Sequence, residues 1–345
     1  MGCFLHKEII MTKRKNELSF MNIIMCLLVI FIHIASWTLP SLAKDSAKYV
    51  ALLVPWRLSA FVVQGFLFLS GIKLFSSKKP FSYPKFMWGR VKGIYLPYLL
   101  WIAVYYAYFI YIGWYKFSLS DTAEYILLGT LCSHFYYVVI AMQFYLLMPL
   151  FLWLVKRVNG LLLTAVAVAV TAFVKAFVHF QYDDRVFFTY LCYFVCGAVV
   201  GRNYEKVTAA VKRYAALIFS AFLILGATDA YLTYRQMVLG AYYRYFEVLH
   251  LAYCIAAIFS LFAISLFIFE NRALPRFLAL VDKSTYGIYL SHILFIYIAN
   301  DYIYRLGISD MLAVFVFRGV FTYTVTFALC FGYTLVKEKI NAKVK

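Results

Sequence analysis

Residues 18–39, LSFMNIIMCLLVIFIHIASWTL, place a histidine, His33, deep inside an apolar run long enough to cross a bilayer. A central Lys, Arg or Asp in such a segment costs about 2.5–3.5 kcal/mol, so an ionisable group there is a functional candidate by default. Neutral imidazole costs less, and satisfaction by a neighbouring helix is the competing reading. With an unperturbed pKa of about 6.5, histidine exchanges protons near neutrality, which is the requirement for general acid–base chemistry. Asn22, Cys26, Val29 and His33 follow i, i+4, i+7, i+11 spacing and share one helix face. Asn22 lies about 16 Å from His33 along that face, and the stripe is expected to line a path through the membrane.

A second stripe, Arg57, Gln64 and Gly71, recurs at sevens with Ser70 beside it. Arg57 reads first as an anchor snorkelling to the interface. Further polar groups in or beside apolar runs are His134, Gln143, Asp229, Arg244, Glu247, His250, His292 and Arg318. Glu247 and His250, three apart, are placed to pair on one helix, and Asp229 and Arg318 read as structural partners of neighbouring helices.

These side chains need a scaffold. The chain is 65% hydrophobic and 14% charged, with a mean hydropathy of +0.81, which excludes an ordinary water-soluble globule. Ten runs are long enough to span, near 18–39, 50–75, 88–112, 134–155, 160–180, 186–202, 212–234, 244–269, 284–304 and 309–336. The expected fold is an all-α integral membrane protein, a bundle of about ten transmembrane helices. With the N-terminus inside, 23 of the 33 Lys and Arg fall in cytoplasmic segments, which predicts that both termini are cytoplasmic. Asp121, Glu124 and Leu127 at helical spacing predict a short helix on the outer surface. Without a linker, low-complexity tract or repeat, residues 1–345 read as a single transmembrane domain, with basic cytoplasmic tails at 1–17 and 337–345. The first run is too long for a signal peptide and is expected to stay as the first helix.

The net charge of +18 is accounted for by orientation in the bilayer, so nucleic acid is not an expected partner. The seven cysteines form no CxxC pair or His/Cys cluster at metal-ligand spacing, so no metal is expected. GxxxxGK[ST], GxGxxG after a strand, and GxSxG are all missing, which argues against ATP-driven, dinucleotide and serine-hydrolase chemistry. The basic, aromatic-rich link from Lys73 to Lys92 is what orientation alone demands, and it is also suited to the phosphates of an acyl-CoA.

Several motifs resemble those of the integral-membrane acyltransferases of the acyltransferase-3 type. Leu18 to His33 resembles the first-helix signature ending in His, and QGFLFLSGIKL (64–74) resembles the FFxLSG segment. RVKGIYLPYLLW (90–101) is similar to the R-x-x-(R)-[IL]-x-P-Y element, HFYYVVIAMQFYLLMPL (134–150) to the H-[LF]-[WY]-F…QFYLL-P helix, and STYGIYLSH (284–292) to the late S-x-x-x-Y-L-x-H element. The resemblance implies an O-acyltransferase of the cell membrane, in the stand-alone branch that acylates polysaccharides. Its donor would be a cytoplasmic acyl-CoA, acetyl or succinyl, used as co-substrate with no permanently bound cofactor. Its acceptor would be a hydroxyl of an envelope polysaccharide or lipid-linked glycan, with glycan-assembly proteins as further partners. His33 takes the place of the motif histidine as catalytic residue. Asn22, Arg57, Gln64, Ser70, Arg90, Lys92, His134, Gln143 and His292 are the candidate donor or acceptor contacts. One departure stands out: the family usually carries Arg eleven residues before the histidine, where this chain has Asn22. Arg90, Lys92 or Arg14 would then supply the missing charge. A transporter of a glycan or small metabolite is the alternative from another class, and a structural subunit of a glycan-assembly complex a third.

Overall fold

In the computed structural model, residues 15–77, 80–270 and 272–343 are described. The basic N-terminal residues before Lys15, Arg14 among them, lie outside them, as do Lys78 and Lys79 of the basic link and Lys345 of the C-terminal tail. Among the described residues helix is the only regular secondary structure, without strands. Seven helical segments among the described residues are long and apolar enough to cross a bilayer, and an eighth is made if one bent pair counts as a single span. Each of the ten segments read from sequence coincides with helix. The run at 186–202 is a shorter apolar helix, and the run at 284–304 lies within a longer, more polar one.

Helix α1 (Asn16–Thr38) contains neither Pro nor Gly, and it stops where Leu39 to Ser41 tighten into a 3₁₀ turn around Pro40. The second predicted span is two helices, α2 (Ala47–Leu58) and α3 (Val62–Phe75), joined through a tight turn at Ser59 to Phe61. Helix α4 (Tyr83–Arg90) passes through a π-helical turn, Val91–Tyr95, into α5 (Leu96–Tyr111). Pro97 lacks the N–H that would bond Gly93, and the Tyr286 hydroxyl donates to Ile94 O at 2.8 Å, so the widened turn is partly satisfied from outside. Helix α6 (Leu119–Leu128), capped by the Ser118 side chain, is the short surface helix expected from Asp121 and Glu124. Helices α7 (Tyr136–Leu146) and α8 (Met148–Arg157) are bent by 59°, because Pro149 cannot donate back to Tyr145. After them come α9 (Gly160–Phe177), α10 (Leu191–Arg202), α11 (Tyr204–Arg213), α12 (Ala215–Leu239), α13 (Phe246–Phe269), α14 (Arg276–Arg305) and α15 (Met311–Lys343).

The centre of the bundle is α1, packed on α14, α13 and α3. The most apolar windows of α1 and α13 are 56% and 67% buried, against 17% for α9 and 22% for α12 and α15. Leu161, Leu217, Leu223 and Leu312 leave these outer helices bare of protein, a surface that lipid must cover. Helices α3 and α10 approach backbone to backbone. A Cβ at Gly71 would strike Phe194 O, and one at Gly197 would strike Phe68 O, the close contact that small residues allow between membrane helices.

Candidate active site

Three of the candidate residues, from three separate stretches of chain, meet in space. His33 near the end of α1, His134 in the turn before α7 and His292 in α14 bring their rings together. Ring centroids lie 5.1 Å apart for His33–His292, 5.1 Å for His134–His292 and 6.3 Å for His33–His134. His134 and His292 are fully buried and His33 half-buried. His33 alone of the three reaches a cavity of about 530 Å³, lined also by Ser36, Trp37, Pro40 and Ser133. This cavity lies at the end of α1 opposite its N-terminus.

The two buried rings are fixed by backbone. His134 Nε2 faces Leu290 O at 3.3 Å, and His292 Nδ1 faces Tyr289 O at 2.7 Å and Ile288 O at 3.2 Å. A carbonyl only accepts, so in the neutral rings these nitrogens carry the protons. The remaining nitrogens, His134 Nδ1 and His292 Nε2, are then bare acceptors, and neither finds a partner among the described residues. Buried polar atoms are almost always satisfied, so two orphaned acceptors beside a third imidazole mark a place built for a donor.

Two tyrosines hold this arrangement, and sequence reading passed over both. The Tyr105 hydroxyl of α5 accepts from Leu294 N at 2.7 Å and donates to Leu290 O at 3.1 Å, entering the hydrogen-bond ladder of α14 on either side of His292. Tyr289 donates its hydroxyl to His134 O, tying the turn before α7 to α14. With 31 tyrosines in the chain, residue type gives no signal for these two. At the end of α1, Arg318 of α15 donates to Thr38 Oγ1 and Asn300 Oδ1, each at 2.7 Å. It is a hydrogen-bonding brace between α1 and α14.

The other candidates lie elsewhere. Asn22 donates to Asp282 Oδ1 at 2.6 Å and Thr285 Oγ1 at 2.9 Å, and Cys26 and Val29 are buried. The Asn22–His33 stripe is therefore a packing face against α14, and only its last member opens on a cavity. Asp282 was missed because the predicted span began after it. Arg57 is no snorkelling anchor: it is bidentate to the fully buried Asp229, at 2.6 and 3.1 Å, and Asp229 also meets His250 Nδ1 at 3.1 Å. Asp229 is thus the structural partner expected of it. The predicted Glu247–His250 pair is replaced, because Glu247 reaches Lys175 of α9 at 3.0 Å while His250 turns to α12.

Gln64 turns its amide onto its own helix, its nitrogen placed to donate to Ala60 O at 3.0 Å, and the break before α3 removes it from the Arg57 stripe. Gln143 clasps the segment before α10, donating to Arg185 O and accepting from Phe187 N. Toward the other end of the bundle, Ser70 Oγ meets Tyr145 OH at 3.1 Å. The Arg90 guanidinium lies 4.9 Å from the Phe86 ring and 5.2 Å from the Tyr145 ring, and its Nε is without a partner among the described residues. Lys92 is exposed beside Trp88. Arg90, Ser70 and Lys92 thus lie apart from the three histidines.

Residues 16–333, nearly the whole chain, match the acyltransferase-3 family, described as an acyltransferase domain. This chain belongs to the acyltransferase-3 family. Among curated relatives, a protein of Staphylococcus aureus (strain MRSA252) described as a probable poly-beta-1,6-N-acetyl-D-glucosamine export protein is 23% identical, covering 68% of this chain and 69% of its own length. Counterparts in strains MSSA476 and MW2 carry the same description and match equally. No solved structure matches. The acyltransferase-3 assignment makes this a multi-pass membrane protein of an acyl-transferring family, with the three-histidine cavity inside the matched region.

Proposed function

We propose that the protein is an O-acyltransferase of the plasma membrane, moving an acetyl or succinyl group from cytoplasmic acyl-CoA to a hydroxyl of an envelope polysaccharide or lipid-linked glycan. It acts as one transmembrane domain with both termini in the cytoplasm, beside other glycan-assembly proteins. The observation that carries this reading is the meeting of His33 with two bare imidazole acceptors at the wall of a cavity. In the reaction the acceptor hydroxyl oxygen attacks the thioester carbonyl, its proton passes to His33, the C–S bond breaks, and the proton leaves with the departing thiolate as CoA thiol. His134 and His292, held by backbone, keep acceptor nitrogens beside His33 and steady the imidazolium that forms. Arg90 and Lys92, toward the opposite end of the bundle from the cavity, hold the donor phosphates, with Ser70 and Tyr145 beside Arg90.

The description of the Staphylococcus aureus relatives as export proteins favours a second reading, export of a glycan without acylation. Purified protein separates the two. With acyl-CoA and a β-linked oligosaccharide it releases free thiol in step with acylated product, whereas an exporter consumes no thioester. Arg90→Gln with Lys92→Gln raises the Michaelis constant for acyl-CoA more than it lowers turnover, because charge-assisted contacts to phosphate are lost. Unchanged donor affinity in correctly inserted protein would return both residues to a role in membrane orientation.

A further inference from the structure

Beyond His33, the cavity is walled by Trp37, and Trp37 is part of an aromatic group that no step above uses. The Trp37 ring stands edge-on to Tyr297 of α14 at 5.5 Å and 86°. Trp114, in the segment between α5 and α6, meets the same Tyr297 at 5.5 Å and 86°. One face of Trp114 is covered by Phe109, nearly parallel at 12° and 5.6 Å, and Tyr297 in turn packs edge-on to Phe109 at 5.1 Å. The two indoles are thus immobilised through one tyrosine. Even so, Trp37 keeps 39% and Trp114 57% of its surface open.

Polar groups are set among these rings. Ser36 Oγ accepts from Trp56 Nε1 at 2.9 Å and donates to Ile32 O at 2.8 Å, which fixes its oxygen at the cavity wall, and Ser133 also lines the cavity. Rigid aromatic faces with a few placed hydroxyls suit a ligand that is apolar on its faces and polar around its rim. A pyranose ring is such a ligand: its axial C–H bonds carry partial positive charge and lie against the negative face of an indole, while its hydroxyls point outward.

We propose that Trp37 and Trp114, held by Tyr297, form the acceptor subsite, stacking successive pyranose rings of the glycan so that a hydroxyl of the innermost ring lies at His33. The proposal rests on the acyltransferase reading for the chemistry at His33, but the stacking itself does not need it. Tryptophans at a membrane surface also serve as an aromatic belt against lipid headgroups, and the test separates these roles.

The experiment follows two readouts in full-length protein reconstituted in nanodiscs: binding of a β-linked N-acetylglucosamine oligosaccharide, read by change in indole fluorescence, and acylation of the same oligosaccharide. Trp37→Ala and Trp114→Ala each raise the acceptor Michaelis constant and dissociation constant about five- to tenfold, with turnover at saturating acceptor changed far less. Trp37→Phe and Trp114→Phe recover part of the loss, because a smaller ring still stacks. If Trp37→Ala does not insert, Trp114→Ala, on a surface segment, carries the test. Acceptor constants unchanged in every variant would make both residues headgroup anchors and overturn the subsite. Oligosaccharide binding that depends on Trp37 and Trp114 without any acylation would uphold the subsite and sink the acyltransferase reading instead. Wild-type protein that binds no oligosaccharide overturns the subsite directly.

Discussion

His33→Ala inserts and folds at wild-type levels yet transfers acyl groups about 10²–10⁴-fold more slowly, the usual cost of losing a general base. The basis is positional. His33 is the only one of the three clustered imidazoles that reaches the cavity, while the other two each hold one nitrogen on a backbone carbonyl and are sealed from solvent. A sugar hydroxyl is a poor nucleophile until its proton has somewhere to go, and among the described residues no other titratable side chain lines that cavity. The control is His179→Ala: its ring is 68% exposed, 3.7 Å from Asp183, and its loss leaves the rate near wild type. Acylation assayed at matched membrane levels decides the matter. A rate for His33→Ala within a few-fold of wild type would make the histidine a packing residue and end the mechanism.

Asp229→Ala destabilises the bundle by about 3–5 kcal/mol, because it strands the Arg57 guanidinium and removes the partner of His250 in a place where Asp229 itself is fully buried. The same physics predicts a rescue. Removing both charges together, Arg57→Met with Asp229→Leu, costs less than either charge-stranding single change, since no ion is then left without a counter-charge. Thermal unfolding in detergent measures it. A single Asp229→Ala shift worth under about 1 kcal/mol would mean that water reaches the pair and that it contributes little.

Each histidine of the cluster was visible in the sequence, His33 because an imidazole in a spanning run is costly, His134 and His292 because they sit in or beside other apolar runs. Their meeting was not, since nothing along the chain says which of many helices lies beside which. The same limit misread the Asn22 stripe: helical spacing correctly put Asn22, Cys26, Val29 and His33 on one face, but could not tell a face turned to a channel from one turned to α14. From sequence Arg57 reads as an anchor because its partner, Asp229, lies 172 residues on. Glu247 and His250 pair in the sequence reading because three residues apart on a helix is the nearest neighbour a sequence can offer, whereas the bundle supplies Lys175 and Asp229 from other helices. Tyr105 is the harder case. Its role, a hydroxyl set into another helix's backbone ladder, depends on register between α5 and α14 that no periodicity encodes.

The cavity at His33 opens at one end of the bundle and Arg90 lies toward the other, so the proposed exchange has an electrical signature. When acetyl passes outward to a neutral hydroxyl, a proton passes inward to the departing thiol, and no net charge crosses the bilayer. Acetyl transfer should therefore run at the same rate whatever the membrane potential. A succinyl group carries a carboxylate, so its transfer moves one negative charge outward, and an inside-negative potential favours it by about 2.3 kcal/mol per 100 mV across the full field. Proteoliposomes clamped at different diffusion potentials would thus report the identity of the acyl group through voltage alone: a flat response for acetyl, a rising one for succinyl. A voltage-dependent rate with acetyl-CoA would instead mean that an ion accompanies the exchange.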